Sequence, residues 1–139
     1  MPRVVVDPGV LIAALLSPRG APASMLLAWL EGRFQLVVSP GLLAELEDVL
    51  LRPKFRPHVT EEEAASFVNL LRNFAVLLPD PTPLHGVSPD PGDDYLVALA
   101  RASEADFLVS GDPHLTGLRK AQPPVVSPRG FLNRLEGKL

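Results

Sequence analysis

Cysteine is absent from the 139-residue chain, which excludes disulfide frameworks, thiolate zinc sites and cysteine nucleophiles together and suits a reducing, cytoplasmic setting. Also missing is any uninterrupted apolar run long enough to cross a bilayer. The first apolar stretch, RVVVDPGVLIAALL, is interrupted by Asp7 and makes a poor secretory signal. A soluble cytoplasmic chain with no membrane partner is therefore expected. There is no excess of positive charge: 13 Lys and Arg stand against 16 Asp and Glu, for a net charge of -3 and a pI near 5.5. That balance argues against holding nucleic acid by a bulk positive field, while a local basic patch stays open. Methionine is scarce, with two residues, whereas proline is abundant, with sixteen. Prolines fix φ in loops and lower unfolded-state entropy, a trait of heat-stable chains.

The length suits one domain, residues 1–139, with a core that needs no disulfide or structural metal. Short Val-rich runs read as strands: Arg3–Val6, Gln35–Val38, Ala75–Leu78, Phe107–Val109 and Val125–Val126. Helical patterns lie between them, at Leu11–Leu16, Pro22–Glu31 and Leu42–Leu51, and after the capping box TEEE at Thr60–Glu63. Residues Pro79 to Asp94 hold five prolines and two glycines and read as a loop leading into the apolar helix YLVALARA. Further helices are expected around Leu115–Lys120 and Pro128–Leu135. Alternating strands and helices predict a three-layer α/β/α sandwich around a mostly parallel sheet of about five strands.

In such a sheet, sites form in the crevice at the carboxyl ends of the strands. Asp7 and Asp112 each follow a strand directly, Glu45 falls in the first turns of the helix after the second strand, and Asp94 opens the helix YLVALA. Parallel topology places all four at one edge. Carboxylates held together repel unless a cation is present, and Mg²⁺ or Mn²⁺ takes carboxylate and water oxygens. A metal so held activates water and offsets charge on phosphoryl oxygens, which points to phosphodiester hydrolysis.

The strings VVVDPGVLIAALLSPRG, SPGLLAELEDVLLRPKF, DPGDDYLVALARASEADFLVSGD and SPRGFLNRL resemble the PIN domain, in particular the VapC-like toxins of bacterial toxin–antitoxin systems. The resemblance covers nearly the whole chain. It implies a metal-dependent endoribonuclease with Asp7, Glu45, Asp94 and Asp112 on the acidic positions, an RNA substrate, a cognate antitoxin and a homodimer. Two departures stand out. Where relatives read D-x-N, this chain has Asp7-Pro8-Gly9, without the amide that would steady a metal shell, and where many carry a further acid it has His114.

Each acid also has a plainer reading. Asp7 and Asp112 suit helix N-caps, Glu45 suits a solvated helix face, and one of Asp93 and Asp94 suits a cap, with Asp93 the better candidate or a peripheral ligand. Ser110, after the fourth strand, either orients a carboxylate or water or forms part of a turn. His114 is a candidate for reaching phosphate or a metal-bound water. Candidate RNA contacts are Arg19 and the run Arg52, Lys54 and Arg56, the latter also placed to complement a helix C-terminus. Two other readings remain open. One is a non-catalytic PIN-like interaction module. The other is an aspartate-nucleophile phosphatase, which the D-x-G sequence at Asp7 disfavours because such enzymes carry D-x-D.

Overall fold

A computed structural model describes residues 1–83, 91–117 and 122–137. The chain order is β1 (Arg3–Val6), α1 (Pro8–Leu16), α2 (Ala21–Leu30), β2 (Gln35–Val38), α3 (Pro40–Leu50), a 3₁₀ turn (Pro53–Phe55), α4 (Glu61–Phe74), β3 (Val76–Leu77), α5 (Pro91–Ala102), β4 (Phe107–Val109), α6 (Pro113–Thr116), β5 (Val125–Val126) and α7 (Pro128–Leu135). The strands form one sheet in the order β3-β2-β1-β4-β5. Every pairing is parallel, with Val5 opposite Val37 on one side and Leu108 on the other.

Central position explains the composition of β1. Val4 and Val5 are fully buried and Val6 nearly so, because helices cover both faces of the sheet and leave no wet side for alternation. From β1 the chain steps outward to β2 and β3, then crosses back to β4 and β5 on the other flank. Right-handed crossovers in opposite directions put α1–α4 on one face and α5 and α6 on the other, giving the expected three layers. The last helix, α7, packs against α2. Among the described residues no single helix is long and apolar enough to cross a membrane; the apolar pair α1 and α2 is bent by 98°.

Six prolines stand in the first turn of an α-helix and do not make loops. Pro8, Pro40, Pro91, Pro113 and Pro128 are each the first residue of a helix, and Pro22 is the second residue of α2. Proline fits there because its fixed φ suits the helix and the missing N–H has no partner to lose at that position. The residues before them supply the caps: Asp7, Ser39 and Ser127 accept from Gly9, Leu42 and Gly130 respectively. Thr60 and Glu63 form the reciprocal box expected at the start of α4.

This use of proline corrects the reading of residues 79–94. The stretch is not loop to its end: α5 starts at Pro91, so Asp93 and Asp94 lie inside its first turn and neither is its N-cap. Residues 84–90 of that stretch, and 118–120 of the helix expected around Leu115–Lys120, lie outside the described residues. The helix itself is shorter and earlier, at Pro113–Thr116.

Phe131 of α7 is fully buried and meets two rings edge-on, Phe34 at 5.0 Å and Phe107 at 5.8 Å between centroids. Arg134 covers the Phe107 ring at 5.5 Å. This cluster fastens the last helix to β4 and to the entry of β2. Phe131→Ala is expected to destabilise the fold by about 3–5 kcal/mol, read from urea unfolding, since a buried ring leaves a cavity that cannot fully collapse.

Candidate active site

The strand order reverses between β1 and β4, because the chain turns one way from β1 and the other way from β4. A parallel sheet opens a crevice at that switch point, beyond the strands' carboxyl ends. Asp7 leaves β1 there and Ser110 leaves β4, with Asp112 two residues on. The buried Ser110 hydroxyl ties the two acids together. It donates to Asp7 Oδ2 at 2.9 Å and accepts the Asp112 backbone N–H at 3.0 Å. Asp7 Oδ1 meanwhile accepts the Gly9 N–H at 3.0 Å, and the Asp7 N–H donates to the Val109 carbonyl at 2.9 Å.

Asp7 is therefore an N-cap after all, with one oxygen, while its other oxygen is held by Ser110. Each carboxylate oxygen has two lone pairs, so one hydrogen bond apiece leaves acceptor capacity on both. Beside the pair lies an open cleft of about 420 Å³ lined by Asp7, Val10, Ala13, Pro22, Asp112 and Pro128.

The other two predicted acids come from helices that begin at the same edge. Glu45 lies in the second turn of α3 and is exposed. Asp93 and Asp94, at 6% and 5% exposure, are buried in the first turn of α5, which packs on β1 and β4. Helical spacing sets Asp93 one and two turns before Val97 and Ala100, which face the core, and Asp94 before Ala98 and the exposed Arg101. Among the described residues no three His, Asp or Glu side chains converge closely enough to hold a metal. The structure thus brings Asp7 and Asp112 together through Ser110 and sets Glu45 and Asp94 on flanking helices.

A second polar node occupies the β2–β3 flank of the same edge, and sequence reasoning missed it. The Leu42 N–H donates to the Ser39 hydroxyl at 3.2 Å, Ser39 is 2.5 Å from the Tyr95 hydroxyl, and Tyr95 donates to Asp80 Oδ1 at 2.6 Å. With the phenol's O–H directed at Asp80, Ser39 is left as donor to the phenol oxygen. The same Asp80 oxygen accepts the Gly41 N–H at 2.8 Å. Glycine permits the close approach: a Cβ would sit 2.7 Å from both Asp80 Oδ1 and the Tyr95 hydroxyl and would push the two side-chain ends away. No local pattern marks Asp80, which reads as one more polar residue among prolines.

The pattern that defines the PIN domain matches residues 3–114. The chain belongs to the PIN-domain family. A PIN-domain fold also emerges from its relatives. It is 29% identical over 118 residues to MJ1680, an uncharacterized protein of Methanocaldococcus jannaschii, spanning 84% of this chain and 75% of that protein. The crystal structure of PAE2754 from Pyrobaculum aerophilum superposes with a TM-score of 0.65 at 17% identity, covering 99% of this chain and 91% of that one. FitAcB from Neisseria gonorrhoeae gives 0.59 at 20% identity, covering 91% and 98%. VapBC2 from Rickettsia felis, solved on a DNA fragment from its promoter, gives 0.60 at 13% identity, covering 89% and 96%. PIN domains are in general nucleases that use divalent metals.

The donor chemistry of this PIN domain suits such an ion. Asp7 and Asp112 offer hard oxygen donors beside an open cleft, and Mg²⁺ is commonly held by one or two carboxylates, with water and phosphate completing its shell. The predicted basic residues lie elsewhere. Arg52, Lys54 and Arg56 follow the far end of α3, about 20 Å along the helix axis from Ser39. Arg52 reaches Asp48 at 3.9 Å on the surface, Lys54 lies over the Phe55 ring at 5.1 Å, and Arg56 donates to the Leu50 carbonyl at the helix C-terminus. Arg19 sits beyond the far end of α1. A cation the sequence reading passed over is Arg129: it is exposed and directly follows Pro128 of the cleft wall. His114 belongs to α6, and its side chain lies outside what is described.

The Tyr95 hydroxyl and the Gly41 N–H hold the Asp80 carboxyl below its ordinary value of 3.8. Burial and the Asp80 carboxylate push the Tyr95 phenol up to about 12. Because the folded value of Asp80 is lowered, its stabilisation is complete above 3.8 and is lost as pH falls through the folded value. Asp80→Asn is accordingly expected to lower the thermal midpoint most near neutral pH. The gap to wild type should close in increasingly acid buffer, as scanning calorimetry across a pH series would show.

Proposed function

We propose that this PIN domain is a Mg²⁺- or Mn²⁺-dependent endoribonuclease, the toxin of a toxin–antitoxin pair, acting in the cytoplasm as a homodimer that a cognate antitoxin restrains. The observation that carries the reading is the Ser110 hydroxyl holding Asp7 while it accepts from Asp112, at the switch point of a sheet whose family is nucleolytic. VapBC2 and FitAcB, which share the fold, support the antitoxin partner.

In this reading Asp7, Glu45, Asp94 and Asp112 would hold the ion, directly or through water, with Asp93 as a peripheral ligand. A bound Mg²⁺ or Mn²⁺ supplies charge neutralisation on the phosphoryl oxygens and a more acidic water. Ser110 fixes Asp7 Oδ2 and the backbone that carries Asp112. Arg129, next to the cleft wall, is better placed than Arg52, Lys54 or Arg56 for a phosphate of the bound strand. The open approach past Pro22, Pro113 and Pro128 suits a single-stranded substrate.

One observation favours a second reading, a non-catalytic interaction module: among the described residues the acids are not gathered into a set of three. Metal and substitution separate the two. Asp7→Asn keeps the oxygen that caps α1 but removes the charge, so it should fold with a near-wild-type midpoint while Mn²⁺-dependent cleavage of single-stranded RNA falls by at least two orders of magnitude. Parallel Asp93→Asn and Asp94→Asn variants report which acid of α5 contributes. Wild type that neither cuts nor binds Mn²⁺ would favour the module, and Asp7→Asn that cuts as fast as wild type would remove Asp7 from the site.

Gly9 gives an independent check. A Cβ there meets only Asp7 Oδ1, at an ordinary 3.6 Å, so the backbone accepts a side chain such as the asparagine of D-x-N relatives. Gly9→Asn is expected to raise the thermal midpoint modestly, since glycine is a poor helix residue, and to tighten Mn²⁺ binding measured by calorimetry.

A further inference from the structure

The node formed by Ser39, Gly41, Asp80 and Tyr95 takes no part in the proposed chemistry, yet it stands at the same sheet edge. Three features set it apart from ordinary surface polarity. The hydrogen bonds run as one directed chain, Leu42 N–H to Ser39 to Tyr95 to Asp80, with the Gly41 N–H closing on the same oxygen, so each bond polarises the next. The chain joins segments distant in sequence: the residues after β2, the residue that follows Pro79 after β3, and the first turns of α5. The approach is so close that a Cβ at position 41 would sit 2.7 Å from both the Asp80 carboxylate and the Tyr95 hydroxyl.

Tyr95 directly follows Asp93 and Asp94. Its phenol reaches toward β2 and β3, while α5 itself packs on β1 and β4, the strands that deliver Asp7 and Asp112. The first turn of α5 therefore bridges the node and the acidic edge. We propose that Tyr95 is a positioning residue: its phenol, clamped by Ser39 and Asp80, sets the depth and rotation of the first turn of α5 and so the placement of the Asp93–Asp94 pair against Asp7 and Asp112.

The consequence for ion binding rests on the metal reading given above; the clamp itself does not. The phenol ends on an exposed carboxylate at the rim of the sheet, not in the core, so removing its hydroxyl leaves the ring packing in place. Loss of order is then local to α5. Asp80→Asn retains an Oδ1 acceptor for both the phenol and the Gly41 N–H, whereas Asp80→Ala removes it.

Wild type, Tyr95→Phe, Asp80→Ala and Asp80→Asn should be compared first by hydrogen exchange in metal-free buffer, then by calorimetric Mn²⁺ titration of the folded proteins. Tyr95→Phe and Asp80→Ala are expected to exchange faster in the first two turns of α5 and to bind Mn²⁺ about tenfold more weakly, as losses of outer-shell partners do. Asp80→Asn, which keeps the acceptor but loses the charge, should fall between wild type and Asp80→Ala in both. Unchanged exchange in Tyr95→Phe would overturn the clamp. Faster exchange with unchanged Mn²⁺ affinity per folded molecule would overturn the positioning role. Wild type that binds no Mn²⁺ would overturn the metal reading and the positioning role with it, and the exchange response of α5 would tell that failure from failure of the clamp.

Discussion

Every strand among the described residues runs in the same direction, and most of the remaining structure follows from that. A parallel sheet requires a crossover between successive strands, so helices cover both faces and the central strands β1 and β4 are largely buried. The same geometry collects every strand's carboxyl end, and the helix N-termini that follow β1, β2, β4 and β5, along one edge. Carboxylates at that edge are tolerated because N–H groups point toward it. Asp7 meets Gly9, Ser110 presents its hydroxyl, and Asp80 meets Gly41. Asp112 needs no sequence proximity to Asp7 to become its neighbour; the pairing of Val6 with Val109 delivers it.

Capping and ion binding are often treated as rival explanations for an aspartate at the end of a strand. At Asp7 they are compatible, because a carboxylate has two oxygens and the fold uses them separately. Oδ1 completes the first turn of α1, and Oδ2 is held by the Ser110 hydroxyl, which also accepts the Asp112 N–H. A cap fixes the side-chain torsions, so it adds to the precision of a ligand and does not compete with it. The cost is that charge is held at the edge whether or not a cation is present.

The strand runs, their parallel arrangement and the placement of Asp7 and Asp112 were legible in the sequence, because Val-rich runs alternating with helical stripes admit few topologies. Proline was the misleading signal. A proline-rich stretch reads as loop, yet Pro91 begins α5, and this moved Asp93 and Asp94 from a cap into the first helical turn. The basic run at Arg52, Lys54 and Arg56 was legible as a helix-end feature, and Arg56 on the Leu50 carbonyl fills that role. Its distance from the acids depends on the length of α3, which pattern reading alone does not convert into direction. Asp80 and Tyr95 were invisible for a more basic reason: their partnership is a tertiary contact with no periodicity and no motif.

The central claim is that the β1–β4 switch point holds a divalent cation on Asp7 and Asp112. Anomalous scattering from crystals soaked in Mn²⁺ tests it most directly, because the signal locates the ion without reference to activity. The account expects a peak in the cleft lined by Asp7, Asp112 and Pro128, within coordination distance of both carboxylates. No peak there, or Mn²⁺ bound only at a site that touches neither aspartate, would contradict it.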